Sequence, residues 1–191
     1  MKTALLIIDI QNDYFPGGKY ELVEPLAAAQ RAYRLLQCFR ERAGHHVHIQ
    51  HISNEPDASF FLPGERGTDI HDSVAHFEDE PIVYKHFPNS FRETNLQDLL
   101  KGWGIERVVI TGMMTHMCVD ATARAAADLG FDVIVAADAC AARDLKYGDT
   151  VVPADQVHKA FLAALEWYGQ VMTSDQILAR LGAENEKAAR S

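Results

Sequence analysis

The fold is decided by VVITGMMTHMCVDAT, which occupies residues 108–122. A β-branched run ends at Gly112, and an Ala-rich, helix-forming segment opens at Cys118. This order predicts a buried strand that leads into a helix N-terminus at the cysteine, where unpaired N–H groups and the helix dipole favour thiolate over thiol. A thiolate there can attack an acyl carbon while the N–H groups hold the oxyanion. The alternative is a small packing residue, which is the usual role of a free cysteine.

The composition limits the class of protein. The chain has 191 residues, which suits one domain, and 18 basic against 27 acidic side chains give a net charge of −9. Because basic residues form no clusters, we expect no binding to nucleic acid. The first apolar run is too short for a secretory or membrane segment. Three cysteines without a CxxC pair argue against a disulfide framework and for a cytoplasmic protein, with Cys38 and Cys140 as packing residues.

Strand-like and helix-like segments alternate along the chain. Strands are predicted at residues 4–8, 47–52, 82–85, 107–111, 132–136 and 171–172. Helices are predicted at residues 25–42, 92–100, 118–129, 157–167 and 175–181. This alternation is typical of an α/β fold with a parallel sheet and helices on both faces. We therefore expect one domain over residues 1–182 and a charged, Ala-rich segment at 183–191 that frays.

Reactive side chains follow three of the predicted strands. Asp9 comes after the first strand, Lys85 ends the third and Cys118 follows the fourth. Ligands in open parallel sheets bind at the carboxyl ends of strands, so these residues are expected at one sheet edge. There Lys85 would favour the thiolate and Asp9 would move a proton. Taken singly, Asp9 could instead cap a turn and Lys85 could lie on the surface.

These residues lie in three segments that resemble, in order, the motifs of the isochorismatase-like cysteine hydrolases. The segments are DIQNDYF at 9–15, KHFPNSF at 85–91 and residues 112–126, and the similarity spans residues 3–180. The resemblance implies a three-layer αβα, Rossmann-like fold with a six-stranded parallel sheet of order 3-2-1-4-5-6. It also implies Asp9, Lys85 and Cys118 as catalytic residues. It further implies a cis peptide between Met113 and Met114, and an oxyanion hole made by the N–H groups of Met114 and Cys118.

Departures from the family pattern narrow the chemistry. Nicotinamidases of this family hold a metal through an Asp-x-His pair and a further histidine, and residues 51–57 lack that pattern. The histidines after Gly44 resemble a metal-binding cluster, but no carboxylate sits at the sequence spacing of a metal ligand. We therefore expect neither metal nor cofactor. These histidines are His45, His46, His48 and His51. The siderophore-pathway isochorismatases lack the cysteine and cleave a vinyl ether, so Cys118 favours attack on an acyl carbon.

The sequence thus predicts a metal-independent cysteine hydrolase that cleaves a C–N bond of a small amide, lactam or ureide through a thioester. The rival functions are hydrolysis of a vinyl ether such as isochorismate, which needs Asp9 but no nucleophile, and non-catalytic ligand binding on the same fold. The expected substrate-binding residues are Gln11, Phe15, Phe61, Phe91 and His116.

The long segment at residues 53–81 shows little periodicity, and loops of this length usually cover a site or bind a partner. It carries three adjacent apolar residues, Phe60, Phe61 and Leu62. In a monomer these side chains would be exposed to solvent unless they fold over the site. Together with the family resemblance, this predicts a homo-oligomer, a dimer or tetramer, with no membrane partner.

Overall fold

The computed structural model describes residues 1–190, apart from the side chains of residues 185 and 188–190. Within residues 1–190, eight strands and five α-helices follow one another in the order β1 (Thr3–Ile8), α1 (Pro25–Glu41), β2 (His45–His51), β3 (Ile82–Lys85), α2 (Leu96–Gly102), β4 (Arg107–Met113), α3 (Asp120–Asp128), β5 (Asp132–Ala141), β6 (Leu145–Tyr147), β7 (Thr150–Val152), α4 (Ala154–Leu165), β8 (Gln170–Met172) and α5 (Ser174–Arg190).

The main sheet has six parallel strands in the order β3-β2-β1-β4-β5-β8. Because β8 is the sixth strand of this sheet along the chain, the predicted order 3-2-1-4-5-6 is confirmed. Alternate residues of β1 enter opposite cores: Leu5 and Ile7 pack with α1, whereas Leu6 and Ile8 pack with α2 and α3. Both faces are therefore covered, which is the three-layer α/β arrangement.

The structure corrects several predicted boundaries. Strand β5 runs on to Ala141, five residues beyond the predicted end at Ala136. A short antiparallel hairpin of β6 and β7 was not predicted, because its strands have only three residues each and lie mostly exposed. The prediction that the last helix ends at Leu181 is wrong, since α5 continues to Arg190. A single Gly182 costs a helix only about 1 kcal/mol, and the following Ala, Glu and Lys are strong helix formers. Ser191 lies outside the described residues.

The long loop is folded onto its own chain. Phe61 is 1% exposed, and its ring packs edge-on against Tyr14 with centroids 4.7 Å apart. Phe60 stacks on Tyr20 at 4.3 Å. The carboxylate of Asp13 accepts the Phe61 N–H at 2.7 Å, which ties the loop to the segment after β1. The loop therefore gives no argument for an oligomer, because the chain itself covers these rings. No helix within residues 1–190 combines the length and apolar character needed to cross a membrane.

Candidate active site

Strand order brings the three predicted catalytic residues to one edge of the sheet. Asp9 follows β1, Lys85 is the last residue of β3, and Cys118 follows β4. Strand β2 lies between β1 and β3, and its last residue, His51, is in register with Lys85. Side chains from four neighbouring strands therefore meet at this edge.

The ammonium group of Lys85 is the centre of this cluster. Its Nζ atom donates to Asp9 Oδ2 at 2.7 Å, to His51 Nδ1 at 3.0 Å, to the Phe87 carbonyl at 3.1 Å and to Cys118 Sγ at 3.2 Å. The side chain is 1% exposed. Burial by itself lowers the pKa of Lys85, but the interactions with Asp9 and Cys118, Asp9 first, outweigh it and raise the pKa above its ordinary value. Lys85 is therefore a firmly charged cation inside the protein.

Cys118 differs from the sequence expectation in its ionisation. Burial raises the pKa of the Cys118 thiol, the charge of Asp9 raises it further, and Lys85 lowers it by less. Lys85 does favour the thiolate, as expected, but desolvation and a neighbouring carboxylate outweigh the cation. The local helix also differs, since Cys118 lies in a π-helical turn, Thr115–Val119, ahead of α3. The resting site holds a thiol beside a carboxylate and an ammonium.

The two carboxylate oxygens of Asp9 differ in their hydrogen bonding. Its residue is fully buried and adopts a left-handed backbone conformation with φ of 50°, while its N–H donates to the Ile49 carbonyl at 3.0 Å. Oδ2 accepts from Lys85, whereas Oδ1 has no hydrogen-bond partner among the residues that the structure describes. Ligand atoms of Asp9, His51 and Cys118 all lie within 4.8 Å of one another. The free oxygen can therefore accept a proton from a close neighbour.

His51 is the site residue that sequence reasoning assigned no catalytic part. Its Nδ1 atom faces a charged ammonium and so acts as an acceptor. Burial lowers the pKa of His51 to about 4, against an increase from the charge of Asp9 and with a smaller further decrease from Lys85. The signal was present in the predicted strand order, because a 3-2-1-4 sheet places the end of the second strand between Asp9 and Lys85.

The peptide between Met113 and Met114 is cis, as the resemblance implied. Met114 is 5% exposed, and its carbonyl accepts the N–H groups of Met117 and Val119 at 3.0 and 3.2 Å. These two bonds fold residues 114–119 into the turn that carries Cys118. The chain leading to the turn passes Gly112, where an added Cβ atom would lie 1.9 Å from the Ile8 carbonyl oxygen.

A family model described as the isochorismatase domain matches residues 3–176. The chain belongs to the isochorismatase family. The family protein YddQ of Bacillus subtilis is 48% identical over 179 residues, which cover 93% of this chain and 99% of YddQ. The secreted isochorismatase effector Isc1 of Verticillium dahliae is 36% identical, with 92% of this chain and 90% of Isc1 covered.

Solved structures of the isochorismatase family share the fold. An isochorismatase hydrolase from Oleispira antarctica is 48% identical with a TM-score of 0.89, and the match covers 93% of this chain and 96% of that one. Less similar relatives include a streptothricin hydrolase of Streptomyces noursei, 31% identical over 86% of this chain and 58% of that protein. An N-carbamoylsarcosine amidase from Thermoplasma acidophilum is 25% identical with a TM-score of 0.77 over 92% of this chain and 98% of that one. The chain is thus a hydrolase of the isochorismatase family.

The cluster of Asp9, His51 and Cys118 does not fit a metal ion. Asp9, His51 and Cys118 are close enough to share an ion, but Lys85 Nζ already lies within hydrogen-bond distance of all three. An ammonium group in that place repels a second cation.

The histidine cluster before the site is also not arranged for a metal. No carboxylate sits at ligand spacing in the sequence, but Glu80 comes from the long loop and accepts from His46 Nε2 at 2.8 Å. However, Arg40 donates to both oxygens of Glu80 at 2.6 and 2.7 Å. Glu80 therefore already has its cation, and the cluster is a structural ion pair with histidines around it.

Two of the five expected substrate-binding residues contact His51. Gln11 is fully buried, and its amide donates to the carbonyls of His51 and Thr68 at 2.8 and 2.7 Å. The Phe61 ring lies 5.8 Å from the His51 ring. Both residues therefore position His51, and contact with substrate stays a prediction.

The other three expected residues each pack on a ring elsewhere. Phe15 stacks on His71 at 3.6 Å, Phe91 stacks on Phe131 at 6.1 Å, and His116 lies 6.0 Å from Phe161, measured between ring centroids. His116 Nδ1 is buried without a hydrogen-bond partner in the described part of the chain. Burial and Arg143 lower the pKa of His116, which keeps the ring neutral. Their part in a pocket also stays a prediction.

Proposed function

We propose that this protein hydrolyses a C–N bond of a small amide, lactam or ureide through a thioester on Cys118, without a metal. One observation carries the proposal: the buried ammonium of Lys85 lies 2.7 Å from Asp9 Oδ2 and 3.2 Å from Cys118 Sγ. A carboxylate, a cation and a thiol in this arrangement provide a base, a charge stabiliser and a nucleophile. The names of the streptothricin hydrolase and N-carbamoylsarcosine amidase relatives agree with this class of substrate.

Acylation begins with movement of the thiol proton. Cys118 passes its proton to Asp9, and Lys85 stabilises the thiolate that forms. The sulfur then attacks the substrate carbonyl carbon, and the negative charge moves to the carbonyl oxygen. Collapse of this intermediate breaks the C–N bond, and Asp9 returns the proton to the departing nitrogen. The products are a free amine or ammonia and a Cys118 thioester.

Deacylation uses the same groups, with water in place of the thiol as the proton donor to Asp9. Asp9, again a carboxylate, takes a proton from water, and the hydroxide attacks the thioester carbon. The C–S bond breaks, the thiolate recovers the proton from Asp9, and the carboxylic acid leaves. We assign the N–H groups of Met114 and Cys118 to the oxyanion in both steps. In comparable sites, loss of one such donor lowers the rate by about 100- to 1000-fold.

The experiment that tests this function is a screen of amides, lactams and ureides that detects released amine or ammonia. A hit should lose turnover in Cys118→Ala and keep it in the presence of EDTA. Loss of activity with EDTA and recovery with zinc or manganese would contradict a metal-independent reaction.

Hydrolysis of a vinyl ether is the second candidate, favoured by the name of the Isc1 relative. That reaction requires protonation by Asp9 but no attack by sulfur. Turnover of isochorismate that survives in Cys118→Ala and disappears in Asp9→Asn would select it over the thioester route.

We also propose that the protein is a homo-oligomer. Three large apolar side chains on or near the hairpin and α4 lie far into solvent: Tyr147 is 87% exposed, Val151 56% and Trp167 88%. A partner subunit that covers them would remove this apolar surface from water. Light scattering decides the point, because a mass near the 21.3 kDa of one chain contradicts it.

A further inference from the structure

The Lys85 ammonium has more acceptors than hydrogens. An ammonium group carries three N–H bonds, and four acceptors surround it, namely Asp9 Oδ2, His51 Nδ1, the Phe87 carbonyl and Cys118 Sγ, at 2.7 to 3.2 Å. At any moment, therefore, one acceptor either shares an N–H with another acceptor or receives no hydrogen bond from Lys85. Two of the four, His51 and Phe87, are neutral and keep their state throughout the reaction, whereas Asp9 and Cys118 exchange a proton.

We propose that His51 is a positioning residue that keeps one N–H of Lys85 occupied, so that a single remaining N–H alternates between Asp9 and Cys118. This inference rests on the proposed function. In the resting site the third N–H neutralises the Asp9 carboxylate. When the thiol proton moves to Asp9, that N–H turns to the new thiolate. The net charge of the three groups is zero before and after, so the buried site never carries an uncompensated charge.

The surroundings hold His51 in the form that this role requires. Gln11 bonds both the N–H and the carbonyl of His51, and Phe61 packs near the ring. The charged or titratable groups that act on the imidazole are Asp9, Lys85 and His86. A charged imidazole could not accept from Lys85 and would repel it, and burial keeps the ring neutral well below pH 6.

Removal of the Nδ1 acceptor therefore has a defined consequence. Without it, Lys85 has three N–H bonds for three acceptors, and one N–H is bound to Cys118 at all times. The thiolate is then favoured in the resting site, and return of the proton from Asp9 to the sulfur is disfavoured. We expect His51→Leu to lower the pH midpoint of Cys118 alkylation by iodoacetamide by about one unit. We also expect kcat on a screened amide to fall by about 10- to 100-fold, with KM changed less.

The matched variants separate positioning from packing. His51→Asn places a side-chain oxygen near the Nδ1 position. It should return both the alkylation midpoint and kcat most of the way to their wild-type values. His45→Leu makes the same substitution at the opposite end of β2 and should change neither measurement. If His51→Leu does not fold by circular dichroism, His51→Ala with and without added imidazole replaces it, and imidazole should restore the wild-type midpoint.

An unchanged pH midpoint of Cys118 alkylation in folded His51→Leu overturns the proposal. A shift in His51→Asn equal to that in His51→Leu overturns it as well. The alkylation measurement needs no substrate. Failure of the thioester mechanism would appear instead as turnover that survives Cys118→Ala, so the two failures are distinguishable.

Discussion

The side-chain amide of Gln11 pairs with the main chain of His51 as a neighbouring strand would. Nε2 donates to the His51 carbonyl at 2.8 Å, and Oε1 accepts the His51 N–H at 2.8 Å. The second hydrogen of Nε2 goes to the Thr68 carbonyl at 2.7 Å. One buried side chain thus fixes the end of β2, which carries a site residue, to the long loop.

Gln11→Leu should destabilise the protein strongly. The change keeps the approximate volume but removes the Gln11 partner of the His51 N–H and carbonyl, whereas the Thr68 carbonyl still accepts from Gln50 Nε2 at 2.8 Å. We expect the free energy of unfolding to fall by about 2–4 kcal/mol. Urea denaturation measures it, with Gln30→Leu on the exposed face of α1 as the control. The control should change stability by less than about 0.5 kcal/mol. Equal stability of the two variants would contradict the role given to Gln11.

Gly112→Ala should be among the most damaging small substitutions in the chain. Gly112 has φ of 128°, and a Cβ atom would lie 1.9 Å from the Ile8 carbonyl oxygen. The backbone of β4 would have to move away from β1 at the point where both lead into the site. We expect a loss of about 3 kcal/mol or more. Gly102→Ala has no atom within 4 Å of the added Cβ and serves as the control. Thermal unfolding compares them, and a Gly112→Ala protein as stable as the control would refute the clash.

Much of the site was visible in the sequence. The alternating pattern placed Asp9, Lys85 and Cys118 at strand ends, and the family motifs implied the strand order and the cis peptide after Met113. These features depend on local residue patterns, which a sequence displays directly.

The remaining features depend on packing between distant segments. That burial raises the pKa of Cys118 could not be predicted, because the prediction requires knowing which segments cover the thiol. Glu80 reached the histidine cluster from 34 residues away. The burial of Phe61 depended on Asp13, which lies 48 residues away along the chain.

Asp9 and Lys85 should shift the ionisation of Cys118 in opposite directions. Asp9 raises the pKa of Cys118 and Lys85 lowers it. Asp9→Asn should therefore move the alkylation midpoint of Cys118 to lower pH, and Lys85→Met should move it to higher pH, each by about 1–3 units. Lys85→Arg keeps the charge with a different geometry and should shift less than Lys85→Met.

The same alkylation profile, followed by peptide mass mapping, reports which cysteine reacts. Cys38 and Cys140 serve as internal references, since neither contacts Lys85 among the described hydrogen bonds. The double variant Asp9→Asn/Lys85→Met removes both charges and should lie between the single variants. Profiles that overlay the wild type would show that these charges do not act on the thiol.

Stability should fall as the pH drops from about 6.5 toward 4. Burial lowers the pKa of His48 to about 4 from 6.5, so the unfolded chain binds this proton at a higher pH than the folded protein does. Protonation thus favours unfolding within that window, by about 2–3 kcal/mol at its lower end. Above pH 7 the contribution is complete and constant. The carboxylate of Glu80 lies 3.5 Å from His48 Nε2. Arg40 and the other hydrogen-bond donors of Glu80 lower its pKa to about 2, so its own contribution is lost only below about pH 4.5.

Urea unfolding at several pH values measures this dependence. His48→Gln should flatten the slope between about pH 4 and 6.5 while leaving part of it, since burial also lowers the pKa of His51 to about 4. A slope identical to that of the wild type would mean that His48 takes no part in the acid sensitivity.

In the proposed mechanism Cys118 carries the acyl group and Asp9 transfers the proton in both half-reactions. The most direct measurement treats the wild type, Asp9→Asn and Cys118→Ala with p-nitrophenyl acetate and maps the acetyl group by peptide mass spectrometry. We expect a burst of p-nitrophenol and a hydroxylamine-sensitive acetyl group on the Cys118 peptide. This adduct should persist longest in Asp9→Asn, where water is not activated, and be absent in Cys118→Ala. An acetyl group on Cys38 or Cys140, or an undiminished burst in Cys118→Ala, would contradict the thioester mechanism on Cys118.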